Sequence, residues 1–98
     1  MELKSSERID DLQYNQLKII QNSEFFRFGS DAVELANFVS GGSRDKAVDL
    51  GSGSGIISIL LAGKKNINVT AVEIQKEVAE MSARSVTLNG LDDKIKVL

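Results

Sequence analysis

The sequence of 98 residues contains no cysteine, no histidine and no proline. Without cysteine it forms no disulfide and has no thiolate nucleophile, and without histidine it lacks an imidazole base and the usual sets of zinc ligands. Mechanisms that depend on any of these groups are therefore excluded for this chain. The lack of proline likewise excludes every motif that requires that residue.

An excess of charge of either sign is also missing. The chain has 12 Lys and Arg against 14 Asp and Glu, a net charge of −2, and its basic residues divide evenly between 1–49 and 50–98. A sequence without a basic patch lacks the electrostatic footprint of a nucleic-acid-binding surface. An RNA substrate would need positive charge from another surface.

Long hydrophobic segments are absent as well. The longest apolar run, from Ile56 to Gly63, is too short to cross a bilayer, and the opening MELKSSERIDD contains no signal-peptide core. From these features we expect a soluble, cytoplasmic protein that does not use a membrane.

Hydrophobic periodicity predicts a hairpin, a helix and then an alternation of strands and helices. Residues 8–22 alternate apolar and polar side chains on either side of YNQ, which is typical of two short strands. Ala32, Leu35, Ala36 and Val39 then fall on one helical face. The next elements are a buried strand, a helix, a strand, a helix and a strand, at 47–50, 55–64, 68–74, 75–89 and 94–98. Short connections between them favour an α/β fold with parallel strands and right-handed crossovers.

A glycine-rich turn, GSGSG at 51–55, lies between the first strand of this series and the next helix. Such a turn is where parallel α/β folds bind ligands, because glycine lets the backbone approach the ligand and the helix N-terminus presents free N–H groups. The dinucleotide fingerprint G-x-G-x-x-G fits only at Gly51 and Gly53, since the third position is Ile56 and Gly55 comes one residue early. The alternative is a loop that merely connects two elements.

Two carboxylates flank this turn. Asp49 lies at the end of the preceding strand, where a negative charge suits a cationic ligand and would repel a pyrophosphate. Glu73 lies near the end of the next strand, 20 residues after Gly53. Its lone pairs can accept hydrogen bonds from both hydroxyls of a ribose. The alternative for Glu73 is a solvated charge at a strand end.

The segments VDLGSGSG (48–55) and AVEI (71–74) together resemble the first two motifs of the class I S-adenosylmethionine-dependent methyltransferases. The earlier segment LKIIQNSEFFRFGSDAVELANF (17–38) is similar to the N-terminal region of bacterial methyltransferases that modify the exocyclic amine of adenine in a valine tRNA, and of their uncharacterised relatives. The resemblance covers about residues 7–98. It implies a Rossmann-like methyltransferase fold, S-adenosyl-L-methionine as the cofactor and tRNA as the substrate.

The resemblance also implies roles for individual residues. Asp49 and the backbone of the glycine turn would face the methionine end of the cofactor, Glu73 would hold the ribose, and Ile74 would line the adenine pocket. Asp31 is an alternative helix cap, and the phenylalanines near it are alternatively core residues, pocket wall or base-stacking residues. The full set of implied cofactor-binding residues is Phe28, Gly29, Ser30, Asp31, Asp49, Gly51, Ser52, Gly53, Ser54, Gly55, Glu73 and Ile74.

Members of this superfamily that act on an amine carry an Asn/Asp-Pro-Pro-Tyr/Phe motif after the fourth strand. A chain without proline cannot contain that motif, so we assign no catalytic residue and no metal ligand. The resemblance therefore predicts a fragment, with a hairpin and lead-in over 1–30 and the first half of a Rossmann-like domain over 31–98. In the strand order 3-2-1-4 of the family, the strand at 47–50 would lack one neighbour, and self-association through its edge is expected.

Three alternatives stay open on the sequence alone. The chain could belong to the same superfamily and act on a protein amide or a small molecule, it could be a module that binds an NAD-type nucleotide, or it could be a non-catalytic oligomerising remnant. Asp49 and the displaced third glycine argue against the dinucleotide.

Overall fold

The computed structural model describes residues 3–12, 14–24 and 30–98. The described elements are, in chain order, β1 (Glu7–Asp11), β2 (Lys18–Asn22), α1 (Ser30–Phe38), β3 (Lys46–Leu50), α2 (Ile56–Lys65), β4 (Asn68–Val72), α3 (Lys76–Leu88) and β5 (Ile95–Val97). The predicted hairpin and the predicted alternation of strands and helices are both confirmed. Every helix in the described ranges is too short or too polar to cross a membrane.

Strands β1 and β2 form an antiparallel hairpin around the predicted YNQ turn. Asn15 and Gln16 both have positive φ, 48° and 59°, and the Leu17 N–H donates to the Tyr14 carbonyl at 2.8 Å. Positive φ at both central residues is the geometry of a type I′ turn, whose twist matches that of a two-stranded ribbon.

Strands β3, β4 and β5 form a parallel sheet in that order, with β4 in the centre. The register pairs Asp49 with Ala71 and Leu50 with Val72, so β3 and β4 end side by side. The residues that follow the two strands therefore meet at one edge of the sheet. This placement is what brings the glycine turn and Glu73 together.

One face of the sheet carries the core. Its buried residues pack with α2, and the hairpin contributes Leu17 and Ile19 to the same cluster. The opposite face is uncovered in the described structure, where Val48 is 64% and Leu50 is 78% exposed. The prediction of a buried strand at 47–50 is therefore wrong, because β3 lies at the edge of the sheet and one of its faces has no covering helix.

Helix α1 begins at Ser30, so Asp31 lies inside the first turn rather than before it. The alternative of Asp31 as the helix cap is therefore wrong, since a capping residue precedes the first turn. A carboxylate in the first turn still interacts favourably with the positive end of the helix dipole.

Helix α3 holds the hairpin by side-chain contacts with β2. The amide of Asn89 accepts a hydrogen bond from the Lys18 N–H at 2.7 Å and donates one to the Lys18 carbonyl at 2.6 Å. The Ser85 hydroxyl accepts a hydrogen bond from the Ile20 N–H at 2.9 Å. These side chains satisfy backbone groups on the outer edge of β2, which would otherwise be free to pair with another strand.

Candidate functional site

A cleft of about 560 Å³ opens at the carboxyl ends of β3 and β4, next to the first turn of α1. Its volume lies within the usual range for small-molecule sites, and the carboxyl edge of a parallel sheet is the usual place for one. Six of the residues predicted to bind the cofactor line it: Asp31, Gly51, Ser52, Gly53, Ser54 and Glu73. The predicted turn and the predicted ribose-binding carboxylate therefore share one cavity.

The three glycines of the turn differ in what surrounds them. Gly51 and Gly53 have φ of 64° and 56°, and a Cβ at either would meet nothing within 4 Å. Glycine is favoured there by backbone conformation alone. Gly55 has a φ of 89°, and a Cβ there would lie 3.2 Å from the Cβ of Ser82. Gly55 is thus also needed for the close packing of the start of α2 on α3.

Backbone hydrogen bonds tie the glycine turn to the residues after β4. The Ser52 N–H donates to the Val72 carbonyl at 3.0 Å, and the Gly55 N–H donates to the Ser52 carbonyl at 3.0 Å. Ser52 is therefore held at both of its backbone groups. The orientation of the turn at the end of the sheet follows from these two bonds.

Glu73 adds side-chain bonds to this arrangement. Its Oε1 accepts a hydrogen bond from the Gly53 N–H at 2.9 Å, and its Oε2 accepts one from the Gln75 N–H at 2.9 Å. A carboxylate offers about four lone-pair positions, so each oxygen keeps acceptor capacity for a ligand. Glu73 supports the turn and the entry to α3 while still lining the cleft.

The Ser52 side chain is buried beside the cleft without a hydrogen-bond partner in the described chain. Ser52 is 7% exposed, and within the described chain its hydroxyl has no hydrogen-bond partner. A buried unpaired hydroxyl costs about 1–3 kcal/mol unless a ligand or water satisfies it. The Ser52 hydroxyl is therefore a polar atom of the glycine turn that the described chain leaves unsatisfied.

Asp49 makes a hydrogen bond within the protein, and its role at the methionine end of the cofactor stays a prediction. Its Oδ2 accepts a hydrogen bond from the Ser58 hydroxyl at 2.8 Å, which links the end of β3 to the first turn of α2. Burial raises the pKa of the Asp49 carboxyl above its usual value, and the hydrogen bonds from Ser58 only partly offset that effect. Asp49 is not one of the residues that line the cleft.

The charges around the cleft have one sign. Glu24, Asp31 and Glu73 all line it, and in the described ranges no lysine or arginine does. Carboxylates gathered around a cavity attract a cationic ligand and repel phosphate groups. The cleft thus favours a ligand with positive charge over a dinucleotide.

The remaining predicted residues lie elsewhere. Strand β4 ends at Val72, so Ile74 lies beyond the predicted strand. Ile74 is 96% exposed, and it is not among the residues that line the cleft. Gly55 packs against α3, as described above. Phe28 and Gly29 lie outside the described residues, as do the other nearby phenylalanines, and only the backbone of Ser30 is described.

Several lining residues were not predicted from the sequence: Glu24, Ala32, Leu35, Ile56, Ile57, Gln75 and Val78. Ala32 and Leu35 belong to the helical face recognised in the sequence, but that face was given no role in the site. Leu35 is 52% exposed, whereas Ala36 on the same helix is buried. Periodicity identified the face, but it could not distinguish a core from a cleft wall.

Comparisons with known proteins support a single fold. No protein-family model matches the chain. The tRNA1(Val) (adenine(37)-N6)-methyltransferase of Bacteroides fragilis is 26% identical over 86 residues, which are 88% of this chain and 36% of that protein. Protein arginine N-methyltransferase 6 of Xenopus laevis is 41% identical over 51 residues, 52% of this chain and 15% of that protein. The chain spans about a third of the length of the tRNA methyltransferase it matches.

Solved structures of other proteins share the fold of this chain. P. horikoshii TYW2 in complex with MeSAdo superposes with a TM-score of 0.79 at 17% identity, over 97% of this chain and 36% of that one. M. capricolum TrmK in complex with S-adenosyl-homocysteine superposes with a TM-score of 0.65 at 15% identity, over 74% of this chain and 32% of that one. The chain has a Rossmann-like methyltransferase fold. The predicted resemblance to bacterial tRNA adenine-N6 methyltransferases is confirmed.

Proposed function

We propose that this chain forms the S-adenosyl-L-methionine-binding part of a methyltransferase. The observation that supports it best is the meeting of the glycine turn and Glu73 in one cleft whose described charged residues are all acidic. The methyl donor carries an ammonium and a sulfonium, so its reacting end is cationic, and its ribose supplies the two hydroxyls for which Glu73 has acceptor capacity. The first turn of α1 would close the amino-acid end of the site.

The cleft fits this cofactor in three respects. Gly51 and Gly53 leave open space where any other residue would place a Cβ. The Ser52 hydroxyl is buried and unpaired in the described chain. Glu73 is already oriented by two backbone hydrogen bonds, so little ordering is needed when a ribose binds.

In this proposal the 98 residues bind and orient the cofactor. When bound, the cofactor would supply an activated methyl group for attack by an acceptor amine at the methyl carbon, with the neutral thioether as the leaving group. Asp49 and Ser58 maintain the geometry between β3 and α2, and the turn backbone holds the methionine end. No residue of the described chain is assigned a proton-transfer role.

The acceptor that we propose is the exocyclic amine of an adenine in tRNA. Support comes from the matches over 88% of the chain, which are longer than the match to the arginine methyltransferase. A stacked adenine would have to leave its stack to reach the methyl group. A tRNA substrate would also place the protein in the cytoplasm.

Two experiments test this function. Calorimetry on the chain should detect binding of S-adenosylhomocysteine and no binding of NAD, and the reverse result would overturn the cofactor assignment. Disruption of the coding region in its native cell, followed by mass spectrometry of valine tRNA, should show loss of N6-methyladenosine. An unchanged modification would overturn the tRNA assignment while leaving the cofactor assignment intact.

We also propose that the chain self-associates through β3. This strand is an edge of the parallel sheet, and its Val48 and Leu50 side chains are mostly exposed. An exposed edge with apolar side chains is a template for pairing with a second copy. Light scattering at micromolar concentration should give the mass of a dimer, and V48K should give that of a monomer. A monomeric mass for the unmodified chain would contradict this proposal.

A further inference from the structure

The lysines and arginines of the described ranges divide into two groups by their side-chain contacts. The first group forms ion pairs with carboxylates or donates to the end of α1, and it consists of Lys4, Arg8, Lys18, Lys64, Lys65 and Arg84. The second group has no such partner in the part of the chain that the structure describes, and it consists of Arg44, Lys46, Lys76, Lys94 and Lys96. All of this group except Lys76 lie in or just before the amino-terminal half of β3 and β5. The unpaired positive charge is therefore concentrated at one edge of the parallel sheet.

A second cavity, of about 540 Å³, lies at this amino edge, opposite the cleft at the carboxyl ends of the strands. Three lysines line it, Lys46, Lys94 and Lys96. The register pairs Lys46 with Asn68 on one side of β4 and Thr70 with Lys96 on the other. Adjacent strands are about 4.8 Å apart, so β3 and β5 are separated by about 10 Å. Flexible lysine side chains on both strands can therefore reach one anionic chain.

Asn68 holds Arg44 beside these lysines. Its side-chain amide donates to the Ser43 carbonyl at 3.0 Å, and its backbone N–H donates to the Asp45 carbonyl at 3.1 Å. The loop before β3 is thus fixed to β4 on both sides of Arg44. The exposed guanidinium adds further N–H donors to the amino edge.

Acidic side chains at this edge are fewer than the basic ones. Asp92 and Asp93 also line the cavity, and Asp92 accepts a hydrogen bond from the Thr87 hydroxyl at 2.7 Å. Asp45, in the loop before β3, accepts one from the Gly42 N–H at 2.8 Å. The balance of charge at the amino edge is therefore positive, whereas the described charged residues of the cleft at the carboxyl edge are all acidic.

We propose that Arg44, Lys46, Lys94 and Lys96 form a contact surface for the backbone phosphates of an RNA substrate. The proposal rests on the function proposed above, and it names the surface that supplies the positive charge an RNA needs when its target base approaches an acidic cleft. Unpaired lysines can donate to phosphate oxygens without the loss of an existing ion pair. The sequence shows no basic patch because the fold assembles this surface from two distant segments.

The distance between the two edges suits a nucleic acid that contacts both. Strands β3 and β4 each have five residues, and a strand of that length spans about 17 Å at roughly 3.3 Å per residue. On the order of five stacked nucleotides of one strand cover this distance. An RNA held by its phosphates at the amino edge can therefore present a base at the carboxyl edge.

The decisive measurement is the affinity for a valine tRNA transcript as a function of salt concentration. K46Q/K96Q removes two positive charges from the surface, and the control K4Q/K18Q removes the same charge from exposed lysines elsewhere. K46Q/K96Q should weaken tRNA binding on the order of tenfold at about 0.1 M salt, and it should reduce the salt dependence of log affinity by roughly one for each lysine. K4Q/K18Q should leave both quantities unchanged.

Binding of S-adenosylhomocysteine gives an independent readout on the same variants. Both double variants should bind it as the unmodified chain does, because the substituted lysines do not line the cleft. A loss of this affinity in K46Q/K96Q would mean that the two lysines support the sheet, and it would contradict the surface.

Three results with tRNA would overturn the proposal: equal affinities of the two double variants, no binding by the unmodified chain, or displacement of the tRNA by inorganic phosphate at the same total phosphate concentration. The last result would assign the lysines to a free phosphate. The proposed function can fail separately. A chain that binds tRNA through these lysines but does not bind S-adenosylhomocysteine would lose the cofactor assignment and keep the RNA surface.

Discussion

The Glu73 carboxylate accepts a hydrogen bond from the Gly53 N–H at 2.9 Å, although the two residues lie 20 positions apart in the chain. The parallel pairing of β3 with β4 makes this contact possible, because both strands end at the same level. The side chain that the sequence assigns to ribose binding therefore also supports the turn that approaches the ligand. The alternative of a merely solvated charge does not describe a carboxylate with two backbone donors.

Replacement of Glu73 should affect both folding and binding. E73Q keeps the shape of the side chain but offers only one oxygen, so one of the two backbone N–H groups loses its acceptor. We expect the free energy of unfolding to fall by about 1 kcal/mol, since both bonds are partly solvated. The affinity for S-adenosylhomocysteine should fall as well. Urea denaturation and calorimetry measure the two effects.

The control for this substitution is E77Q, which changes an exposed carboxylate in the first turn of α3. It should leave the affinity unchanged. A loss of affinity in E73Q without any loss of stability would restore the expectation from the sequence, in which Glu73 serves the ligand alone. A loss of stability with full affinity would remove Glu73 from the ligand site.

Much of the fold could be predicted because its signals are local. The period of apolar residues identified the hairpin and α3, and the order of the elements implied a parallel sheet. The burial of β3 could not be predicted in this way. Its run AVDL has the composition of an interior strand, but the exposure of Val48 and Leu50 depends on which other elements cover the sheet.

The meeting of the glycine turn and Glu73 could be predicted, because each follows one of two successive strands in the sequence and parallel strands end at the same edge of a sheet. The sequence places Asp49 near the turn, and the resemblance implies its role at the methionine end of the cofactor, which stays a prediction. In the structure it bonds to Ser58, a contact that depends on how α2 packs against β3. Spacing along the chain gives proximity, but the direction of a side chain follows from packing.

The glycines of the turn should differ in their tolerance of alanine. G55A places a Cβ 3.2 Å from that of Ser82 at a positive φ, so strain and crowding add. We expect a loss of about 2–4 kcal/mol in the free energy of unfolding, from roughly 1–2 for the left-handed backbone and the remainder from overpacking. G53A meets no atom within 4 Å and should lose only the backbone part. Equal losses in urea denaturation would contradict the packing role of Gly55.

Low pH should weaken the attachment of the hairpin to α3. A variant of the same shape that lacks the titrating carboxyl should not show this pH dependence. Arg84 donates to both carboxylate oxygens of Glu7, at 2.8 and 2.5 Å, and its side-chain hydrogen bonds lower the pKa of Glu7 from 4.5 to about 2. A carboxyl with a lowered pKa in the folded state stabilises the fold above its unfolded pKa. That contribution should be present above about pH 4.5 and lost as the pH falls toward 2.

The comparison for this titration is E7Q, which removes the titrating group. Its free energy of unfolding at neutral pH should be lower by about 2–3 kcal/mol, because a carboxylate that is 1% exposed is lost while Arg84 keeps Glu80 as a partner. Between pH 4.5 and 2 its stability should vary less steeply than that of the unmodified chain. Parallel curves for the two proteins would show that Glu7 does not carry the acid dependence.

The attachment of the hairpin to α3 should depend on both ends of the Asn89 amide. N89D keeps an acceptor for the Lys18 N–H but loses the donor to the Lys18 carbonyl, and N89A loses both. Both variants should lose stability: N89A loses these bonds at about 1 kcal/mol each, and N89D places a carboxylate oxygen against the carbonyls of Lys18 and Ser85 where the amide nitrogen donated. Amide exchange at Lys18 separates the two variants, because only N89A leaves that N–H without its acceptor. Fast exchange at Lys18 in both variants would mean that the hairpin detaches as a unit once either bond is lost.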